Sequence, residues 1–227
     1  MIDRMKIKVD LAEAYRYMGG RGEPDGQEKK ELEKAAEMIA ESSNPRSIER
    51  FFSVDRSGDG VLLSETELLL PGKAVRALLK DCRECMIFCV TIGNEPEMLI
   101  RRWEVENIAF AAALDACASS AVESLCEQEE KKAIGSEEVF LTDRFSPGYE
   151  DLPLSLQPDF CRLLDTGRKI GVMVSGSGVM IPRKSVTALV GIADRKQKSR
   201  DSGCSACPAY GSCSYRESGV TCYGHIL

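Results

Sequence analysis

The chain has 227 residues, with 30 Lys and Arg against 36 Asp and Glu, ten Cys and one His. A 43% apolar and 29% charged composition describes a globular chain long enough to bury a core, and the net charge of −6 leaves no basic footprint for nucleic acid. No stretch approaches the roughly 18 apolar residues of a membrane span, and the start at Met1–Lys6 lacks a signal peptide's apolar centre; a cytoplasmic protein without membrane or nucleic-acid partners is expected.

In chain order, residues 9–20 read as a short helix stopped by Gly19-Gly20. Gln27 to Ser42 forms a charged helix with Leu32, Ala35, Ala36 and Ile39 on one face. Ser47–Val54 and Val61–Leu63 read as strands joined across Asp55–Gly60. Lys73–Leu79 continues as helix, Met86–Ile92 as a buried strand, and Glu97–Glu130 as a long helix broken near Arg101–Glu104. Val139–Leu141 is a short strand, Leu156–Leu164 a helix, and Ile170–Val174 and Val186–Ile192 are further strands. Helices and strands mix without a regular βαβ repeat, so the fold class is α+β with a mostly antiparallel sheet and flanking helices. The composition turns polar and basic after Asp194, which divides the chain into a domain over residues 1–194 and a Cys-rich tail over 195–227.

The only histidine, His225, stands three positions from the end. A histidine-based triad would rest its base on a terminus that usually frays, and a His-rich zinc site is excluded. The cysteines are more informative. Cys204, Cys207, Cys213 and Cys222 follow Cys-x2-Cys-x5-Cys-x8-Cys within a Gly- and Pro-containing segment. Four thiolates there suit Zn²⁺ or an iron–sulfur cluster, the alternative being a reduced tail without metal. Cys82, Cys85 and Cys89 run into an apolar strand, so packing outweighs a ligand role. Cys117, Cys126 and Cys161 read as core.

Three patterns imitate functional motifs. Asp55-x-Ser57-x-Asp59-Gly60 copies half of a calcium loop, but Thr66 replaces its closing Glu and a hairpin turn fits better. Gly176–Ser185 imitates a phosphate loop, but Arg183 and Pro182 remove what phosphate needs. Glu127–Lys132 reads as a solvated charge run.

Arg144-Phe-Ser-Pro-Gly-Tyr-Glu-Asp-Leu-Pro153 is different. Pro147 and Gly148 bend the chain sharply, Arg144 offers a fork for a carboxylate, and Tyr149 offers a ring face to a cation. A stiffened loop with an ordinary salt bridge is the other reading. Four segments in their order and spacing, over residues 5–193, carry a resemblance: Cys89–Gly93, Leu114–Glu123, Arg144–Tyr149, and Ile170-Gly-Val172 with Met180–Val186. The chain resembles the reductive-activation domain of cobalamin-dependent methionine synthase in free-standing form. That resemblance implies a C-shaped domain with a twisted antiparallel sheet and S-adenosylmethionine in a shallow groove, facing cobalamin supplied by a partner. Arg144, the backbone around Ser146 and Gly148, Tyr149, Glu123 and Asp10 would then hold the ligand. Arg144 and Ser146 would take its amino-acid end, Tyr149 would lie beside the sulfonium, and Glu123 would be a nearby carboxylate. Asp10 would pair with the ammonium, an N-cap being its alternative. No catalytic residue is assigned. The partners implied are a corrinoid-binding methyltransferase or methionine synthase and an electron donor protein. A metal or iron–sulfur redox protein built on the tail, or a ligand-free scaffold subunit, are the competing functions. The chain departs from the family at Ser175-Gly176-Ser177, where the family carries Thr-Glu-Ser.

Overall fold

The computed structural model describes residues 6–56, 58–134, 139–195, 210–217 and 219. Its central sheet is built on β4 (Glu84–Thr91), buried on both faces for nearly its whole length. Such a strand needs apolar side chains on both sides of its pleat, and its sequence ECMIFCVT supplies them. On one side it pairs with β1 (Arg46–Asp55), on the other with β8 (Ser185–Ala193), with Arg50 opposite Ile87 and Ile87 opposite Leu189. Strands β2 (Val61–Leu63), β3 (Leu69–Leu70) and β5 (Phe140–Leu141) complete an antiparallel sheet of order β3-β2-β1-β4-β8-β5. A separate hairpin joins β6 (Met173–Val174) to β7 (Met180–Ile181).

The alternation along β4 and β8 sorts side chains into two cores. Met86, Phe88, Val90, Ala188 and Val190 face a helical layer made by α1 (Leu11–Tyr17), α2 (Gly26–Ser42), α4 (Glu95–Glu106) and α5 (Ile108–Ile134). Cys85, Ile87, Cys89 and Leu189 face a second core. It is closed by α3 (Lys73–Leu78), α6 (Gln157–Leu164) and the buried Phe145 and Leu152, with α7 (Thr166–Lys169) following α6. In α2, Asp25 and Glu28 form a reciprocal capping box, while Leu32, Ala35 and Ile39 are buried as the spacing requires. The α+β class with an antiparallel sheet and flanking helices is therefore as expected.

Several expectations need correction. The break in the long helical stretch falls at Asn107, not at Arg101–Glu104. Asn107 ends α4 by donating its N–H to Trp103, and its Oδ1 accepts the Phe110 N–H of α5. Helix α5 is long and apolar enough to cross a membrane by length and composition, contrary to the sequence expectation, yet 61% of that window is buried inside the fold. The span 170–174 does not form one strand. Gly171 turns with φ +72°, Ile170 and Val172 enter the second core, and only Met173–Val174 pair. Strands β3 and β7 were not expected at all.

The Asp55–Gly60 segment lies between the antiparallel β1 and β2, as the hairpin reading required. Cys82, Cys85, Cys89, Cys117, Cys126 and Cys161 are all buried. Burial pushes the thiols up, to about 12 for Cys85 and Cys117 and about 11 for Cys82. They are packing groups, not reactive thiolates.

Candidate functional site

The segment that leaves β5 runs along the edge of β8, past Gly191 and Leu189 to Thr187, before reaching α6. Phe145 pairs with Leu189 through both backbone hydrogen bonds, at 2.9 and 2.8 Å, which fixes where Arg144 and Ser146 emerge. Ser146-Pro-Gly-Tyr149 then closes with the Tyr149 N–H donating to the Ser146 carbonyl at 3.0 Å. Pro147 at the second position and Gly148 with φ +94° at the third make a type II turn, a conformation that demands positive φ there. The sharp bend read from the sequence is present.

Because neighbours along an extended chain point to opposite sides, Arg144 and Phe145 part company. Phe145 enters the second core, and Arg144 reaches the helical layer. There its Nη1 donates to Glu123 Oε2 at 2.6 Å, and its Nε lies 2.7 Å from Glu130 Oε1. Glu123 and Glu130 are seven residues apart on α5, two turns along the same face. The Glu130 oxygen is sealed from solvent, and its contact with Nε is close but poorly aligned as a hydrogen bond, so the attraction is Coulombic. Burial pushes the Glu130 carboxyl up, against the pull of Arg144. Burial also disfavours the charged Arg144, but adjacent Cys126, Glu130 and Glu123 outweigh it and hold the guanidinium above its ordinary range.

Ser146 belongs to a buried polar chain. Its Oγ donates to the Thr187 carbonyl at 2.8 Å, and the Thr187 hydroxyl accepts from Gln157 Nε2 at 2.6 Å. Gln157 and Thr187 are nearly inaccessible, so this chain fixes the turn against β8 and α6. Tyr149 goes elsewhere. Its ring meets Phe145 edge-on at 6.1 Å between centroids and is 56% exposed.

Asp10 caps α1. Its Oδ1 accepts the Glu13 N–H at 3.0 Å, while its own backbone N–H and carbonyl are clasped by the hydroxyl of Ser120, three residues before Glu123. Arg144 and Glu123 are thus brought into contact, Asp10 sits at the start of α1 against Ser120 of α5, and Tyr149 packs on Phe145. Cys204, Cys207 and Cys222 fall outside the described residues; Cys213 is half-buried just before α8 (Ser214–Glu217). Among the described residues no group of three metal-ligating side chains converges.

The sequence reading missed Glu130. The run Glu127–Lys132 is not merely a solvated face, because the Glu129 side chain is 1% exposed and Glu130 is bound to Arg144. The two-turn interval from Glu123 was the available signal.

No family model matches the chain, and no curated protein matches it. Among solved structures, it is similar to the reactivation domain of MetH bound to AdoHcy. The TM-score is 0.63 at 17% identity, and the match covers 97% of this chain and 88% of that one. At this identity the likeness establishes the fold, and the sequence resemblance is matched by it over nearly the whole chain.

Proposed function

We propose that this chain binds S-adenosylmethionine at the edge of its sheet and presents it to a corrinoid carried by a separate methyltransferase, a cobalamin-dependent methionine synthase or a relative. The observation that carries this reading is the Arg144–Glu123 pair beside the Ser146–Tyr149 turn, in a fold shared with a domain solved with AdoHcy bound. The donor set fits such a ligand. Its amino-acid end carries one carboxylate and one ammonium, and the site offers a guanidinium with carboxylates beside it. Arg144 takes the carboxylate beside the Ser146–Tyr149 turn. Glu123, with Asp10 nearby, takes the ammonium. Tyr149 shields the sulfonium on the exposed side. When bound, S-adenosylmethionine supplies an electrophilic methyl group to reduced cobalt. The chain's own share is to position the ligand and exclude water, so no catalytic acid or base is required. An electron donor protein and a cytoplasmic setting complete the reading.

Isothermal titration with S-adenosylmethionine and S-adenosylhomocysteine tests it. Saturable binding is expected, weakened about tenfold or more in Arg144→Ala through loss of charged hydrogen bonds. No binding of either compound at millimolar concentration would overturn the proposal.

A further inference from the structure

We propose that Asp151 is a positioning residue for the ligand loop, anchoring the far side of the Ser146–Tyr149 turn to the first turn of α3. In its bearing on the ligand this rests on the function proposed above; its structural half stands alone. Helix α3 has Gly72 at its N-cap position and no capping side chain of its own. Asp151 supplies the cap from another part of the chain. Its Oδ2 accepts the Lys73 N–H at 2.7 Å, and its Oδ1 accepts the Ala74 N–H at 3.2 Å. Both donors lie in the first turn of a helix, where a carboxylate is a favourable partner.

The approach is possible only because residue 72 is glycine. Its φ is +109°, and a Cβ there would lie 2.6 Å from Asp151 Oδ1, 2.8 Å from its Cγ and 3.1 Å from its carbonyl oxygen. Gly72 and Asp151 therefore form one lock between segments that the sequence separates widely.

What the lock holds is a second turn stacked on the first. The Leu152 N–H donates to the Tyr149 carbonyl at 2.9 Å, and the Gly148 N–H donates to the Leu152 carbonyl at 2.8 Å. Glu150 between them adopts φ +46°, in the left-handed region that non-glycine residues seldom occupy. Leu152 is 1% exposed in the second core. The loop is thus fixed upstream by Phe145 on Leu189 and downstream by Asp151 and Leu152. Tyr149 lies between, with over half its surface exposed, so its direction is set by backbone more than by packing on its ring.

The test uses the full chain with Asp151→Ala, Asp151→Asn and Gly72→Ala, read by amide hydrogen exchange and by titration with S-adenosylhomocysteine. In Asp151→Ala, exchange at Gly148 and Leu152 should quicken about tenfold or more while β4 stays protected, and affinity should fall several-fold. Asp151→Asn keeps one carbonyl acceptor and should recover most of both. Gly72→Ala, which leaves the carboxylate intact but occupies its place, should reproduce Asp151→Ala. Unchanged exchange at Gly148 and Leu152 in Asp151→Ala would overturn the anchor. Faster exchange with undiminished affinity would overturn its positioning role. A wild-type chain that binds neither compound would defeat the proposed function, while the exchange data would still judge the anchor.

Discussion

Arg144 and Glu130 make a 2.7 Å ion pair in which the carboxylate oxygen is shut away from solvent, although the arginine itself remains 26% exposed. Removing the arginine strands that oxygen and also frees Glu123. Arg144→Ala should cost about 1–2 kcal/mol of stability, between the values for exposed and for buried pairs. Arg144→Ala combined with Glu130→Gln should regain part of that loss, because no buried charge is then left alone. Urea unfolding of the single and double variants measures it, and a double variant no more stable than Arg144→Ala would refute the account.

Glu49 on β1 is exposed at one side yet partly desolvated, and it is held above the ordinary glutamate range chiefly by that desolvation and then by the charge of Glu129, with Lys132 opposing. Such a carboxyl binds its proton more tightly in the folded than in the unfolded chain. Its stabilising contribution is complete below the unfolded value of about 4.3 and is lost as pH rises through the higher folded value. Glu49→Gln should therefore flatten the fall in the urea midpoint over that window and raise the midpoint above it. A wild-type slope in the variant would count against the Glu49–Glu129 repulsion.

Asp10 caps α1, and the proposed function gives it a second, separable duty toward the ligand. Asp10→Ala removes the cap of α1 and should cost about 1 kcal/mol, whereas Asp10→Asn keeps an acceptor and should cost only about a few tenths. Asp10→Asn loses the charge alone, so a several-fold fall in S-adenosylmethionine affinity is expected with stability nearly intact. Thermal unfolding and titration on the same samples separate the two.

Gly191 in β8 leaves no room for a methyl group. A Cβ would meet Cys82 Sγ at 2.5 Å, Leu79 Cδ2 at 2.7 Å and Thr142 Cγ2 at 3.0 Å. Gly191→Ala should cost about 1–3 kcal/mol by overpacking. Cys82→Ala removes the nearest obstacle, so the double variant should be more stable than additivity allows, by about 1 kcal/mol. A double-mutant cycle in urea measures the coupling, and strict additivity would show that the strain lies elsewhere.

Local chemistry made much of this protein legible in its sequence. The apolar spacing of Leu32, Ala35 and Ile39 defined α2, the unbroken apolar run defined β4, and Pro147-Gly148 defined the turn beside Arg144. Each is settled by residues within a few positions of one another, through side-chain periodicity or backbone torsion preference. Strand β3 was illegible because two leucines carry no period. The helix break was misplaced because Asn107 acts through a cap geometry that only the joined helices display. The burial of Glu129, the pairing of Glu130 with Arg144 and the seat of Asp151 on α3 were decided by tertiary structure. In each, a charged group meets its partner across a packing interface. Burial and proximity set the strength of a charge, and neither exists until the sheet and helices have assembled.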